Sequence, residues 1–264
     1  MKKLKETQAC EYSEKYFLSE VGPGGAVYHQ AFKYIPKDID GPFLDIGSGR
    51  GEMAVCLARA GKKAYGIDYS PAAISLSQEI LRAEKKSVQT KAYFQLADCT
   101  NLPFKNKTFQ CLFLLDVVEH LTPKQLKLTL KEANRVLKRQ GVLIIHTNNK
   151  YFEKMAKFFI AASYSGLKVF LRIRKTLRQA ASRLYDYLHI NYLTGTELCH
   201  YLEESGFNSK VEYVKPTKKG EIQKFIPYNE RWKKYIFYNI AWFFLNTPLI
   251  KFMSPTFWII ARKR

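Results

Sequence analysis

Along this chain, apolar residues gather in short runs that stop at a single acid or a glycine. Phe43, Leu44 and Ile46 surround Asp45, and glycines follow at 47, 49 and 51. A short buried strand is therefore predicted to turn at once into a helix reaching about Ala60. Further apolar runs at Ala64 to Ile67, Tyr93 to Leu96, Cys111 to Leu115 and Val142 to His146 predict four more strands, three of which end at or near Asp68, Asp98 and Asp116. Ser70-Pro71 and Thr122-Pro123 open helices, because Ser and Thr are good N-caps and proline suits the first turn. Gly141 is read as the stop before the fifth strand. Ahead of all this, Lys2 to Tyr34 reads as a helical, amphipathic segment with Tyr12, Tyr16, Phe17, Tyr28 and His29 as its aromatic members. Strands alternating with helices imply a parallel sheet covered on both faces, with its ligand site at the strands' C-terminal ends.

Length and charge narrow the reading. The 264 residues suffice for one large core, and we expect a single domain over 1–264. The formal charge is +20, with an excess of 8 basic residues in 1–150 and 12 in 151–264. Such a surface attracts nucleic acid or an anionic membrane, and charge alone does not separate them. The cysteines at 10, 56, 99, 111 and 199 contain no C-x-x-C pair, which argues against a zinc site and a disulfide framework. Charges stand where a signal peptide would need its apolar stretch, so a cytoplasmic location is expected.

The turn itself reads FLDIGSGRGEM. Glycines there let a ligand lie against bare backbone, although such turns also serve plain strand-to-helix packing. Asp68 favours the first reading, since it ends the next strand about 20 residues on, where an acid can take both hydroxyls of a ribose. The dehydrogenase spacing G-x-G-x-x-G is not met, because Arg50 alone separates Gly49 from Gly51. The blocks LDIGSGRGE, GIDYSPAAI, ADCTNLPFKNKTF, LLDVVEHL and EANRVLKRQGVLIIHT, in that order, resemble class I S-adenosylmethionine (SAM)-dependent methyltransferases, and most nearly those of the ubiquinone pathway. The resemblance implies a Rossmann-like α/β sheet of seven strands, the last antiparallel, with strands six and seven at about Ser209 to Val214 and Thr256 to Ala261. It implies SAM as cofactor, held by Asp45, Gly47, Ser48, Gly49, Asp68, Tyr69 and Asp116, with Asp98 and Cys99 beside the adenine.

Asp116-x-x-Glu119-His120 is the most chemically suggestive group. If a helical turn began at Asp116, the three side chains would share one face. The pattern resembles both the ubiquinone-pathway O-methyltransferases and the small-RNA 2′-O-methyltransferases, where it joins a distant histidine around a divalent metal. His189 is the matching histidine here. Because Asp116 stands where those relatives have Glu, a metal-free role is favoured, with His120 or His189 as general base and Glu119 beside them.

Two insertions depart from the minimal family pattern, at about 151–190 and 215–255. The first is basic, with apolar residues at helical spacing, and suits either a membrane surface or a lid. In the second, Tyr235 to Ile250 is uncharged yet interrupted by Asn239, Asn246 and Pro248, so it is expected to lie in the interface rather than cross it. The expected function is O-methylation of a lipophilic or lipid-linked small molecule by a peripheral protein at the inner face of the membrane. An RNA 2′-O-methyltransferase and a non-catalytic SAM-binding membrane protein are the alternatives. Lys154, Lys157, Arg172, Arg174, Lys175 and Arg178 should supply attraction, each about 1 kcal/mol before screening, and Trp242, Phe243 and Phe244 should insert. In liposome flotation, neutralising those cations is expected to weaken binding mainly at low salt, and W242A with F243A at all salt concentrations.

Overall fold

The structure is a computed structural model that describes residues 24–154, 189–214 and 247–264. The elements are α1 (Gly24–Ala31), β1 (Phe43–Ile46), α2 (Glu52–Arg59), β2 (Ala64–Asp68), α3 (Pro71–Arg82), α4 (Lys86–Gln89), β3 (Ala92–Leu96) and β4 (Phe109–Leu115). They continue with α5 (Pro123–Val136), β5 (Leu137–Asn148), α6 (Gly195–Glu204), β6 (Phe207–Tyr213), α7 (Ile250–Met253) and β7 (Thr256–Lys263). Most of both insertions, the segment before residue 24, and the residues expected to meet a membrane, Lys157, Arg172, Arg174, Lys175, Arg178, Trp242, Phe243 and Phe244, lie outside the described residues. Among the described residues no helix is long and apolar enough to cross a membrane.

The strands form one seven-stranded sheet in the order β3-β2-β1-β4-β5-β7-β6. β1 to β5 pair in parallel, and β7 runs antiparallel to both β5 and β6. The strand period of two sends alternate residues to opposite faces, and both faces are covered. Leu44, Leu112, Leu114, Leu143 and Ile145 pack with Leu126 and Leu130 of α5 and Leu198 and Leu202 of α6. Phe43, Cys111, Phe113, Val142 and Ile144 pack on the other side with Met53 and Leu57 of α2, Trp258 of β7 and Tyr28 of α1. The strand order reverses at β1 and β4, so the C-terminal ends of these neighbours form the crevice of a doubly wound sheet.

The helix starts follow local chemistry. The Ser70 hydroxyl accepts from the Ala73 N–H, and Thr122 and Thr194 each form a reciprocal capping box, with Gln125 and Glu197 respectively. Two expectations need correction, and one short helix went unpredicted. β5 begins at Leu137, directly after α5, because Gln140 at φ 62° and Gly141 form a bend inside the strand rather than a stop before it. The short helix α4 gave no periodic signal. No helical turn starts at Asp116, whose φ of 56° is left-handed, and Val118–His120 is a 3₁₀ turn.

Phe113 is fully buried between the sheet and α2, whereas the Thr122 side chain mainly caps one helix end. Phe113→Ala should cost about 3–5 kcal/mol and Thr122→Ala about 1 kcal/mol, measured by urea unfolding.

Candidate active site

The turn after β1 is folded onto β2. The Gly47 and Ser48 N–H groups both donate to the Ile67 carbonyl at 2.8 Å, and the Gly51 N–H donates to Ser48. Gly47 has φ +73°, and a Cβ there would lie 2.6 Å from Val117 Cγ2, just past β4. Gly51, at φ +82°, would bring a Cβ to 2.5 Å from the Phe94 ring. These two glycines are therefore required by close approach and by backbone conformation together.

Acids surround the turn. Asp45 is buried, and burial, then the charges of Glu52 and Asp68, push its carboxyl up to about 8. Asp68 accepts from the Gly49 N–H at 3.0 Å and the Ser70 N–H at 2.9 Å, one on each oxygen. Burial raises its carboxyl, against the pull of these donors. The Tyr69 N–H is a third backbone donor, and since a carboxylate offers about four lone-pair sites, Asp68 retains acceptor capacity for a ribose hydroxyl. Arg50 pairs with Glu52. The buried Ser48 Oγ has no hydrogen-bond partner. Tyr69 is partly exposed beyond β2. Asp98 is exposed and accepts from the Thr100 N–H at 2.8 Å, while the Cys99 sulfur lies 3.3 Å from the Thr129 hydroxyl, and burial pushes its thiol up to about 11.

Beyond β4, Asp116 parts from Glu119 and His120, which stay together. The left-handed Asp116 turns its carboxylate to His146 at the end of β5, with Oδ1 2.6 Å from Nδ1. Glu119 is buried. Its two oxygens accept from the Thr147 hydroxyl at 2.8 Å and the Asn148 amide at 3.0 Å, and its carbonyl accepts from the Ile190 and Asn191 N–H groups. Burial and the Asp116 charge push its carboxyl up to about 8. Glu119 thus ties the loop before α6 to the end of the sheet. His120 and His189 meet edge to face, with ring centroids 4.7 Å apart, as two loops opening on the same sheet edge require.

One ligand atom from each of Glu119, His120 and His189 falls within 4.8 Å of the others, a spacing compatible with a shared cation. Each Glu119 oxygen accepts one hydrogen bond, from Thr147 or Asn148, and keeps a further lone pair, so the arrangement suits a cation or a metal-free pair of imidazoles alike. Sequence reasoning missed His146, Thr147, Asn148 and Trp258. The available signal was positional, since His146 ends an apolar strand beside Asp116. Tyr28 packs over the same crevice, and burial, then the charges of Glu52, Asp45 and Asp116, raise its hydroxyl.

Comparison with known proteins accords with this geometry. The family described as "Methyltransferase domain" matches residues 44–145. The ubiquinone biosynthesis O-methyltransferase of Pelagibacter ubique is 29% identical over 121 residues, 46% of this chain and 48% of that protein. The ubiquinone/menaquinone biosynthesis C-methyltransferase of Rhizobium meliloti is 28% identical over 131 residues, 48% of this chain and 49% of its own length. The chain therefore spans about half the length of the curated relatives it matches. A SAM-dependent methyltransferase structure from Archaeoglobus fulgidus superposes with a TM-score of 0.61 at 22% identity, covering 94% of this chain and 99% of that one. Over residues 44–145 the chain is thus similar to SAM-dependent methyltransferases, and its sheet is that of their class I fold.

The residues present fit that cofactor. Asp45, Glu52 and Arg50 offer the charges that an ammonium and a carboxylate need, and Asp68 suits a ribose. Gly47→Val should abolish SAM binding in titration calorimetry, because the new side chain meets both Val117 and a left-handed backbone. With its carboxyl near 8, free Asp45 is protonated at neutral pH, whereas an adjacent ammonium favours the ionised form. SAM binding should therefore release a proton, and affinity should rise by up to about tenfold per pH unit between about pH 6 and 8. Calorimetry in buffers of differing ionisation enthalpy would expose that proton.

Proposed function

We propose that this protein transfers the methyl group of SAM to a hydroxyl oxygen of a lipophilic small molecule at a membrane surface. The carrying observation is the contact of His120 with His189 at the end of β4, beside Val117, which packs on the cofactor turn. Bound SAM would supply a methyl group already activated by its sulfonium. The chain's part is then to align the acceptor and remove its proton, which an imidazole does near neutral pH. Glu119 holds the His189 loop in reach of His120 through the Ile190 and Asn191 N–H groups.

The lipophilic acceptor is supported by relatives named for ubiquinone biosynthesis and by the basic and aromatic insertions in the sequence. Those relatives are named for O- and C-methylation alike, so the histidine pair is what favours oxygen.

The test is turnover of labelled SAM on membrane lipid extracts, with mass spectrometry of the methylated product. The expected product is an ether on a quinone-type or other lipophilic hydroxyl. His120→Ala should lower turnover by about 10²–10⁴ while leaving SAM affinity unchanged. A product methylated on carbon, or on RNA supplied in its place, would overturn the reading.

A further inference from the structure

The edge of the sheet opposite the crevice carries its own chemistry. Ala92, Ala64, Phe43, Cys111 and Val142 pair in one row across β3, β2, β1, β4 and β5, so the residues just before them line one end of the molecule. Lys63 precedes β2, Lys105 and Lys107 precede β4, and Lys138 and Arg139 lie just before the bend in β5. Four of these five cations are exposed, and Lys138 is half-buried. The nearby acids Asp40, Glu84 and Glu132 already pair with Lys62, Arg59 and Arg135. Among the described residues, the five cations have no acidic partner within ion-pair distance.

Contacts join these cations into one band. Lys63 Nζ lies 5.5 Å from the centroid of the Tyr93 ring and 5.6 Å from that of Tyr65. The two rings stack at 5.0 Å, and Phe104, beside Lys105, meets Tyr65 edge to face at 5.9 Å. The Lys107 N–H donates to the Arg135 carbonyl at 3.0 Å, so this loop crosses the end of α5 directly before Lys138 and Arg139. Tyr93 stands at the other end of the band, on the edge strand β3. Its hydroxyl donates to the Thr90 carbonyl at 2.7 Å, which holds the ring, and the residue is 43% exposed. From β3 to β5 the band crosses four strand spacings, about 19 Å.

We propose that this band binds a single-stranded nucleic acid, with the five cations following its phosphates and Tyr93 stacking on a base. At about 3.4 Å per charge along one strand, the band matches about five or six phosphates. A held aromatic ring beside a basic track suits unpaired bases of any sequence, because every base has a face to stack. An anionic bilayer would take the charge but leave the ring without a purpose. It is also misplaced, since both insertions leave the sheet at the crevice edge, after β5 and after β6. The paired stretch from Val142 to Asn148 alone puts about 20 Å between that edge and the band. For the same reason the bound strand is a partner and not the methyl acceptor, so the proposal stands apart from the methyl-transfer reading.

The test is fluorescence anisotropy of the full chain with labelled oligonucleotides of about 20 uridines or about 20 deoxythymidines, longer than one site. Salt is varied between about 50 and 200 mM. The logarithm of the binding constant should fall linearly with that of the salt concentration, with a slope of about −3.5, or about −0.7 for each of five phosphates. Combining K105Q, K107Q and R139Q should make the slope shallower by about 2 and weaken binding at least about tenfold. Tyr93→Ala should weaken binding about 5- to 150-fold with the slope unchanged, whereas Tyr93→Phe should bind as the intact chain does. Circular dichroism and urea unfolding report whether each variant is folded. Binding of either oligonucleotide supports the proposal, and the tighter of the two indicates RNA or DNA as the source. No binding at about 50 mM salt, or an unchanged slope in the folded triple variant, would overturn it. So would binding to phosphatidylglycerol vesicles that the same three changes abolish. Calorimetry of SAM tests the methyl-transfer reading separately.

Discussion

The catalytic end of this molecule depends on one close approach. The turn leaving β1 passes so near Val117 that even a methyl group at Gly47 would sit 2.6 Å from Val117 Cγ2. That approach fixes the start of α2 against the end of β4. It also brings Asp45 and Asp68 to the same edge as Asp116, Glu119 and His120. Two parallel strands ending side by side cannot offer a floor for one ligand and a wall for another unless their following turns pack tightly. Glycine makes the packing possible by giving up a side chain, and Val117 fills the space.

Four acids at this edge meet four different fates, and environment decides each. Asp45 has burial and acidic neighbours, so it favours the neutral form until a cation arrives. Asp68 is buried but held by backbone donors, which limits the cost of keeping it ready for hydroxyl groups. Asp116 has an imidazole as counter-ion. Glu119 has neutral donors alone, which orient it without supplying charge, and it serves as a tie between β5 and the loop before α6. The division matters because a carboxylate that closes a loop cannot also move freely toward an acceptor.

The antiparallel β7 contributes more than an added strand. Its register sets Trp258 opposite His146, and Phe257 and Ile259 beside them enter the core on the other face. A strand supplied from the end of the chain therefore backs a charge pair built from β4 and β5. The loop before α6 brings His189 to His120 across a long stretch of sequence as well. The acceptor side of the crevice is thus assembled from remote parts of the chain, while the cofactor side comes from one contiguous stretch.

That difference explains what the sequence determined and what it left to the tertiary structure. The Phe43 to Met53 turn, the strand ends at Asp68 and Asp116, and the capped helix starts at Ser70 and Thr122 were legible because each is a local agreement between residue type and backbone need. The approach of His189 to His120 was legible only through topology, since both loops open on one sheet edge. Asp116 misled the local reading. Its spacing to Glu119 and His120 suggested one helical face, whereas its left-handed backbone turns Asp116 to His146 while Glu119 and His120 still converge with His189. No spacing encodes His146, because its role comes from the strand beside it and the tryptophan behind it. Periodicity records which residues face inward. Which inward-facing residues meet is settled only when strands from distant parts of the chain pair in register.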